Sequence, residues 1–174
     1  MRKKFAIIPT GVDLDMAELK TNVMRILEQQ GIAYTPHTYP HGKEAVDGVR
    51  VAQSLGQDPA CVYKTLVARG KGGGLFVFVI PVAQELDLKK AARAVGEKAI
   101  ELVHVKELLG LTGYVRGGCS PVGMRKAYPT VFHEMAQHLP TILVSAGKIG
   151  WQIECGPNDL IALTGAHTAD LIRG

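Results

Sequence analysis

Much of what would class this sequence is missing from it. No apolar run approaches the ~20 residues that a membrane-spanning helix needs. The stretch behind the basic start, MRKKFAIIPTG, is too short for a signal peptide. Cysteine is sparse: Cys61, Cys119 and Cys155 are odd in number and far apart. That argues against a disulfide framework and fits a reducing cytoplasm. No pair of them has zinc-ligand spacing, and His133 and His138 do not share a helical face as a four-residue spacing would allow. Neither a metal nor a cofactor is expected. Internal repeats, linkers and low-complexity segments are absent too, so the 174 residues are expected to fold around one core.

Acids are missing from two places. Residues 59–84 contain none and carry Lys64, Arg69 and Lys71. Between residues 108 and 153 the only acid is Glu134, against Arg116, Arg125, Lys126 and Lys148. The net charge of +4 is modest. If the two stretches face each other they form a positive surface suited to phosphates; chance in a mildly basic protein accounts for the pattern equally well.

What is present centres on residues 112–123, TGYVRGGCSPVG, with four glycines and one proline. Gly117 and Gly118 permit unusual backbone angles and close approach of a ligand. Pro121 stiffens the loop, and Arg116 sets a cation beside the glycine pair. The segment reads either as a tight turn or as a site for an anion or carbonyl oxygen.

Around it, strands and short helices mix without a βαβ rhythm. Residues 5–8 could be an edge strand. Asp13 or Asp15 can cap a first helix with Met16, Leu19, Val23 and Ile26 on one face, stopped by Gly31. Residues 32–39 read as a strand that Pro36 confines to an edge. A helix is expected within 44–55, ending at Gly56, and a short turn opens at Asp58 and Pro59. Residues 62–68 and 75–81 read as a hairpin. Its link, RGKGGG, is not a P-loop, because the lysine is misplaced and no Ser or Thr follows it. Asp87 caps a helix to about Val95, with Lys89, Lys90 and Arg93 outward. A strand over 99–103 and a helical turn over 106–109 lead into the glycine loop. Strands follow at 130–133, 141–145 and 151–155. Asn158 can cap a last helix to Leu163, and 166–172 end as strand or coil. The expected fold is one mixed α/β domain with a barrel-like sheet and helices packed around it.

Three constellations could carry chemistry. Cys119 could be a thiol nucleophile with His133 or His138 as base, though no thiol-enzyme signature surrounds it. The histidines could bind a metal, but no carboxylate completes the pair. Lys64, the Gly117 and Gly118 amides and the loop at 145–148 could together form an anion and carbonyl site. Lys64 shares a strand face with Val62, Leu66 and Ala68, where a lysine must be paired, snorkel to solvent, or have a task.

The residues resemble the YbaK/ProX group of free-standing aminoacyl-tRNA editing domains, and within it the YbaK-type cysteinyl-tRNA(Pro) deacylases. The resemblance rests on HTYPHG at 37–42, VYKTL at 62–66, PVAQELDLKKAARAVG at 81–96, TGYVRGGCSPVG at 112–123, PT at 129–130 and VSAGKIG at 144–150. It covers residues 16–172 and leaves 1–15 as an N-terminal extension to a single domain over 16–174. It implies cytoplasmic removal of cysteine from proline tRNA by cleavage assisted by the substrate's own thiol. Lys64, Gly117 and Tyr39 are implied as catalytic. Thr65, Gly118, Ser120, Ser145 and Arg116 are implied as substrate-binding. The partners implied are the acceptor end of tRNA(Pro) and prolyl-tRNA synthetase. One departure stands out: the family position held here by Cys119 is usually aliphatic. Two other readings are compatible with the motifs, a deacylase for alanine or another small amino acid, and a binding module that holds tRNA or a synthetase without hydrolysis.

Overall fold

The computed structural model of the protein describes residues 20–174. The expected strand at 5–8, the Asp13 or Asp15 cap and the boundary after residue 15 lie outside these residues. In chain order the elements are α1 (Asn22–Gln29), β1 (Tyr34–Thr38), α2 (Gly48–Ser54), β2 (Tyr63–Gly70), β3 (Leu75–Pro81), α3 (Leu88–Ala94) and β4 (Ile100–Leu102). Then follow α4 (Val105–Thr112), β5 (Thr130–His133), β6 (Ile142–Ser145), β7 (Trp151–Cys155), α5 (Pro157–Thr164) and β8 (His167–Ala169). Single 3₁₀ turns at Pro59–Cys61 and Glu134–His138 lead into β2 and out of β5.

The strands form a five-stranded sheet, β4-β2-β3-β5-β8, and a three-stranded sheet, β1-β7-β6. A parallel bridge from Val62, just before β2, to Leu143 in β6 ties one to the other. The β2–β3 hairpin is antiparallel, whereas β3–β5 and β5–β8 are parallel, so the sheet is mixed as expected. Among the described residues it does not close into a barrel. Among the described residues β1 pairs only with β7, and its Pro36 lacks the amide that a further strand would need. β8 is three residues long and pairs, among the described residues, only with β5.

The run LFVFVI in β3 has no polar alternation because both faces of that strand are covered. Val77 and Val79 enter one core with Phe132, Val144, Ile153 and Leu27. Phe78 and Ile80 enter a second core with Ala91, Ala92 and Val131. α1 buries Val23, Met24 and Leu27 in the first core. α3 lays Ala91 and Ala92 on the opposite face.

Several helix ends differ from the expectation. α1 begins at Asn22, where the Thr21 hydroxyl accepts from the Met24 amide at 3.2 Å. α2 lies within the expected 44–55 but is shorter, starting at Gly48, where the Asp47 carboxylate caps it by accepting from the Arg50 amide. The turn expected at 106–109 is a full helix, Val105–Thr112, closed by Gly113 at φ 86°. α5 is capped at Gly156, and Pro157 takes its first turn, so Asn158 lies inside the helix. Lys90 does not point outward; its ammonium bonds Asp170 and the Ile172 carbonyl, both at 2.8 Å.

Candidate active site

The end of β2 next to the Val62–Leu143 bridge is where the two sheets meet, and a cleft of about 140 Å³ opens there. Successive β2 residues point to opposite faces, so Tyr63 and Thr65 line it from one side and Lys64 from the other. The glycine loop contributes Gly117 and Cys119, and the end of β6 contributes Ser145. Tyr39, after β1, and Trp151 and Gln152, at the start of β7, complete the wall with Val51 of α2 and with Val46, Val62 and Val82.

Glycines let these loops come together. Gly117 has φ 86°, and a Cβ there would lie 2.7 Å from Ala45 Cβ. A Cβ at Gly118 would meet the main chain of Lys148 and Ile149 at 3.1–3.3 Å. The glycine loop is thus seated directly on the backbone of the turn between β6 and β7. The same turn holds Tyr39, whose amide donates to the Gly150 carbonyl at 2.9 Å. Inside the loop, Tyr114 OH donates to the Val122 carbonyl and Thr112 accepts from the Tyr114 amide.

Lys64, Thr65, Gly117, Tyr39 and Ser145 therefore share one cleft. Arg116, Gly118 and Ser120 do not line it. Arg116 is exposed on the solvent side of the loop. Gly118 donates its amide to the Val115 carbonyl at 3.0 Å, which leaves Gly117 as the member of the pair with an amide free among the described residues. Ser120 is wholly buried and accepts from the Val122 amide, a turn-forming role. The two acid-poor stretches do meet here: residues 63–65 face the glycine loop and the turn carrying exposed Lys148.

Lys64 is half-buried and its ammonium has no hydrogen bond or ion pair among the described residues. Burial holds it below the usual lysine range, against an opposing pull from Glu85 and Asp47. Two hydroxyls in the cleft wall, Tyr63 OH and Thr65 Oγ1, are buried with no partner. Such groups are expensive to leave unpaired; both oxygens are sealed from solvent and lie behind the cleft surface, whereas the half-buried Lys64 ammonium is the group an occupant can reach. Ser145 is already half engaged, accepting from the Gly147 amide at 3.2 Å.

Cys119 behaves as a packed residue. Burial pushes its thiol up to about 12, opposed by a hydrogen bond with Thr112. At neutral pH it carries its proton. Neither His133 nor His138 lines the cleft, and His133 Nδ1 accepts from the Leu171 amide elsewhere. Sequence reasoning missed Tyr63, Trp151 and Gln152. Tyr63 stood inside the VYKTL motif, but Gln152 had no local signal, because its place depends on β7 pairing beside β1.

Residues 43–163 match the aminoacyl-tRNA editing domain family. The chain belongs to that family. A candidate Cys-tRNA(Pro)/Cys-tRNA(Cys) deacylase, EbsC of Enterococcus faecalis, is 45% identical over 152 residues, spanning 87% of this chain and 93% of that protein. Among solved structures, a candidate trans-editing enzyme for prolyl-tRNA synthetase superposes with a TM-score of 0.76 at 30% identity, covering 87% of this chain and 95% of that one. The hypothetical protein APE2540 superposes at 0.78 with 23% identity and shares the fold. As an aminoacyl-tRNA editing domain, the chain acts on the ester that joins an amino acid to tRNA.

Proposed function

We propose that this editing domain removes cysteine from tRNA, with Cys-tRNA(Pro) as the main substrate and Cys-tRNA(Cys) as a second one, and that the substrate's own thiol makes the attack. The observation that carries this reading is that the residues lining the cleft include hydroxyls and a thiol but no histidine or carboxylate to activate them as nucleophiles. Its one protein thiol, Cys119, is kept protonated by burial. The relative from Enterococcus faecalis supports cysteine as the amino acid. The solved trans-editing relative supports proline tRNA and a partnership with prolyl-tRNA synthetase.

In this mechanism the thiol sulfur attacks the ester carbonyl, a carbon–sulfur bond forms, and the ribose oxygen leaves and takes up a proton. The products are free tRNA and a cyclic thiolactone. The protein supplies proximity, which can be worth several orders of magnitude in rate. Lys64 holds a phosphate or ribose oxygen of the terminal nucleotide. The Gly117 amide meets the carbonyl, and Thr65, Tyr39 and Ser145 seat the aminoacyl group. Arg116, with Lys148, draws the acceptor end toward the cleft by charge. Gly118 and Ser120 serve the site by fixing the loop that carries Gly117.

Lys64→Ala tests whether this cleft is the catalytic one. Turnover of Cys-tRNA(Pro) should drop at least a hundredfold while the circular dichroism spectrum and unfolding midpoint stay near the parent's. Unchanged turnover would remove Lys64 from the site. Unaltered tRNA binding by a parent protein that never cleaves would favour the non-catalytic binding module.

A further inference from the structure

Gln57 and Gln152 are 95 residues apart in sequence, yet Gln57 Nε2 donates to Gln152 Oε1 at 3.0 Å. Gln57 is itself pinned: it follows Gly56, which has φ 66°, and its main-chain amide donates to the Ala52 carbonyl at 2.8 Å. Gln152 is buried, with 5% of its surface exposed, and lines the cleft. Its carboxamide oxygen is occupied by Gln57. Its Nε2 has no partner among the described residues, yet it is not among the polar atoms sealed from solvent without one. With the oxygen held by Gln57, the polar atom that this cleft-lining side chain has left to offer is the Nε2 donor. The Gly118 amide, the other donor expected near the carbonyl, is turned to Val115.

We propose that Gln152 is a catalytic residue that donates to the oxygen of the tetrahedral intermediate beside the Gly117 amide, and that Gln57 is its positioning residue. The inference rests on the deacylase reading above. When the substrate sulfur adds to the ester carbon, the carbonyl electron pair moves to oxygen and the thiol proton leaves to solvent. That oxygen then carries a full negative charge in a partly desolvated cleft, where preorganised donors have their greatest effect. When the pair returns, the ester bond to ribose breaks, and the ribose oxygen takes a proton from solvent. A donor that meets the charge only during reaction acts on kcat rather than on ground-state binding.

The test is Gln152→Glu, which keeps the shape and replaces the donor with an anion. Steady-state turnover of Cys-tRNA(Pro) should show kcat reduced on the order of a hundredfold, with KM changed by less than about threefold. Wild-type kcat in folded Q152E would overturn the proposal; it would mean that the cleft side of Gln152 accepts a hydrogen bond, as from the substrate's ammonium group. Should Q152E fail to fold, Gln57→Leu decides. It frees the Gln152 amide to rotate and also removes a buried oxygen that lacks a partner. Its kcat should fall about tenfold at unchanged KM, and unchanged kcat would overturn the positioning role and the proposal with it. If wild-type protein itself leaves Cys-tRNA(Pro) intact, the deacylase reading has failed, a result visible before any variant is compared.

Discussion

Chemistry at single residues turns on which polar groups in the cleft are already engaged. Gly118 and Ser145 have partners within the chain, whereas the Lys64 ammonium, the Gly117 amide and the Tyr63 and Thr65 hydroxyls have none among the described residues. Unpaired buried groups lower stability; of these, the half-buried Lys64 ammonium is the one a ligand in the cleft can complete. Cys119 shows the opposite pattern. Its protonated, packed thiol predicts that Cys119→Ala leaves kcat/KM for Cys-tRNA(Pro) within about threefold of the parent, measured by release of labelled cysteine. A loss of a hundredfold or more would instead make that thiol the nucleophile. Lys64, Thr65, Tyr39, Gly117 and Ser145, which the resemblance singled out by short motifs, all fall on one cleft. The motifs could not separate Gly117 from Gly118, since which amide is free depends on a turn that closes through Val115.

At the scale of elements, the seating of one turn on another is the vulnerable point. Gly118→Ala adds a methyl group facing the main chain of Lys148 and Ile149, which cannot move aside as a side chain can. The expected cost is about 1–3 kcal/mol, read from the urea midpoint, together with a fall in turnover of at least tenfold as Gly117 shifts. Equal stability and activity would mean that the loop is not seated there.

β5 ends in a second sensitive place. His133 is 3% exposed, and its Nδ1 accepts from the Leu171 amide, which requires the neutral ring. Burial lowers its pKa below 6.5, outweighing Asp170 and Glu134, which pull it up; Lys90 adds to the lowering. Below pH 6.5 the unfolded chain binds a proton that the fold resists, so stability falls as the pH drops from 6.5 toward the folded pKa. His133→Gln should flatten this part of the profile in urea titrations between pH 7.5 and 5.5. An unchanged slope would assign the acid sensitivity to other groups.

Element boundaries were legible where capping chemistry is local. Asp87, Asp58 and Gly31 act as their sequence context predicts. Asn158 did not, because Gly156 followed by Pro157 offers a start two residues earlier. Gly48 looked like a defect inside a helix and is instead its first residue, close against Val82.

At the scale of the whole molecule, the mixed sheet followed from the lack of a βαβ rhythm, but its openness did not. Closure depends on whether β1 and β8 find partners, a long-range property that local pattern does not carry. The same holds for the meeting of the two acid-poor stretches, which the Val62–Leu143 bridge brings about. The central claim, that the cleft positions a substrate which attacks itself, depends on the whole assembly. It is tested most directly by incubating purified protein with Cys-tRNA(Pro) and, in parallel, Ala-tRNA(Pro), each carrying a labelled amino acid. Rapid loss of cysteine with alanine retained is the expected result. Equal loss of alanine, which has no thiol, would require a nucleophile or a positioned water supplied by the protein and would contradict substrate-assisted cleavage.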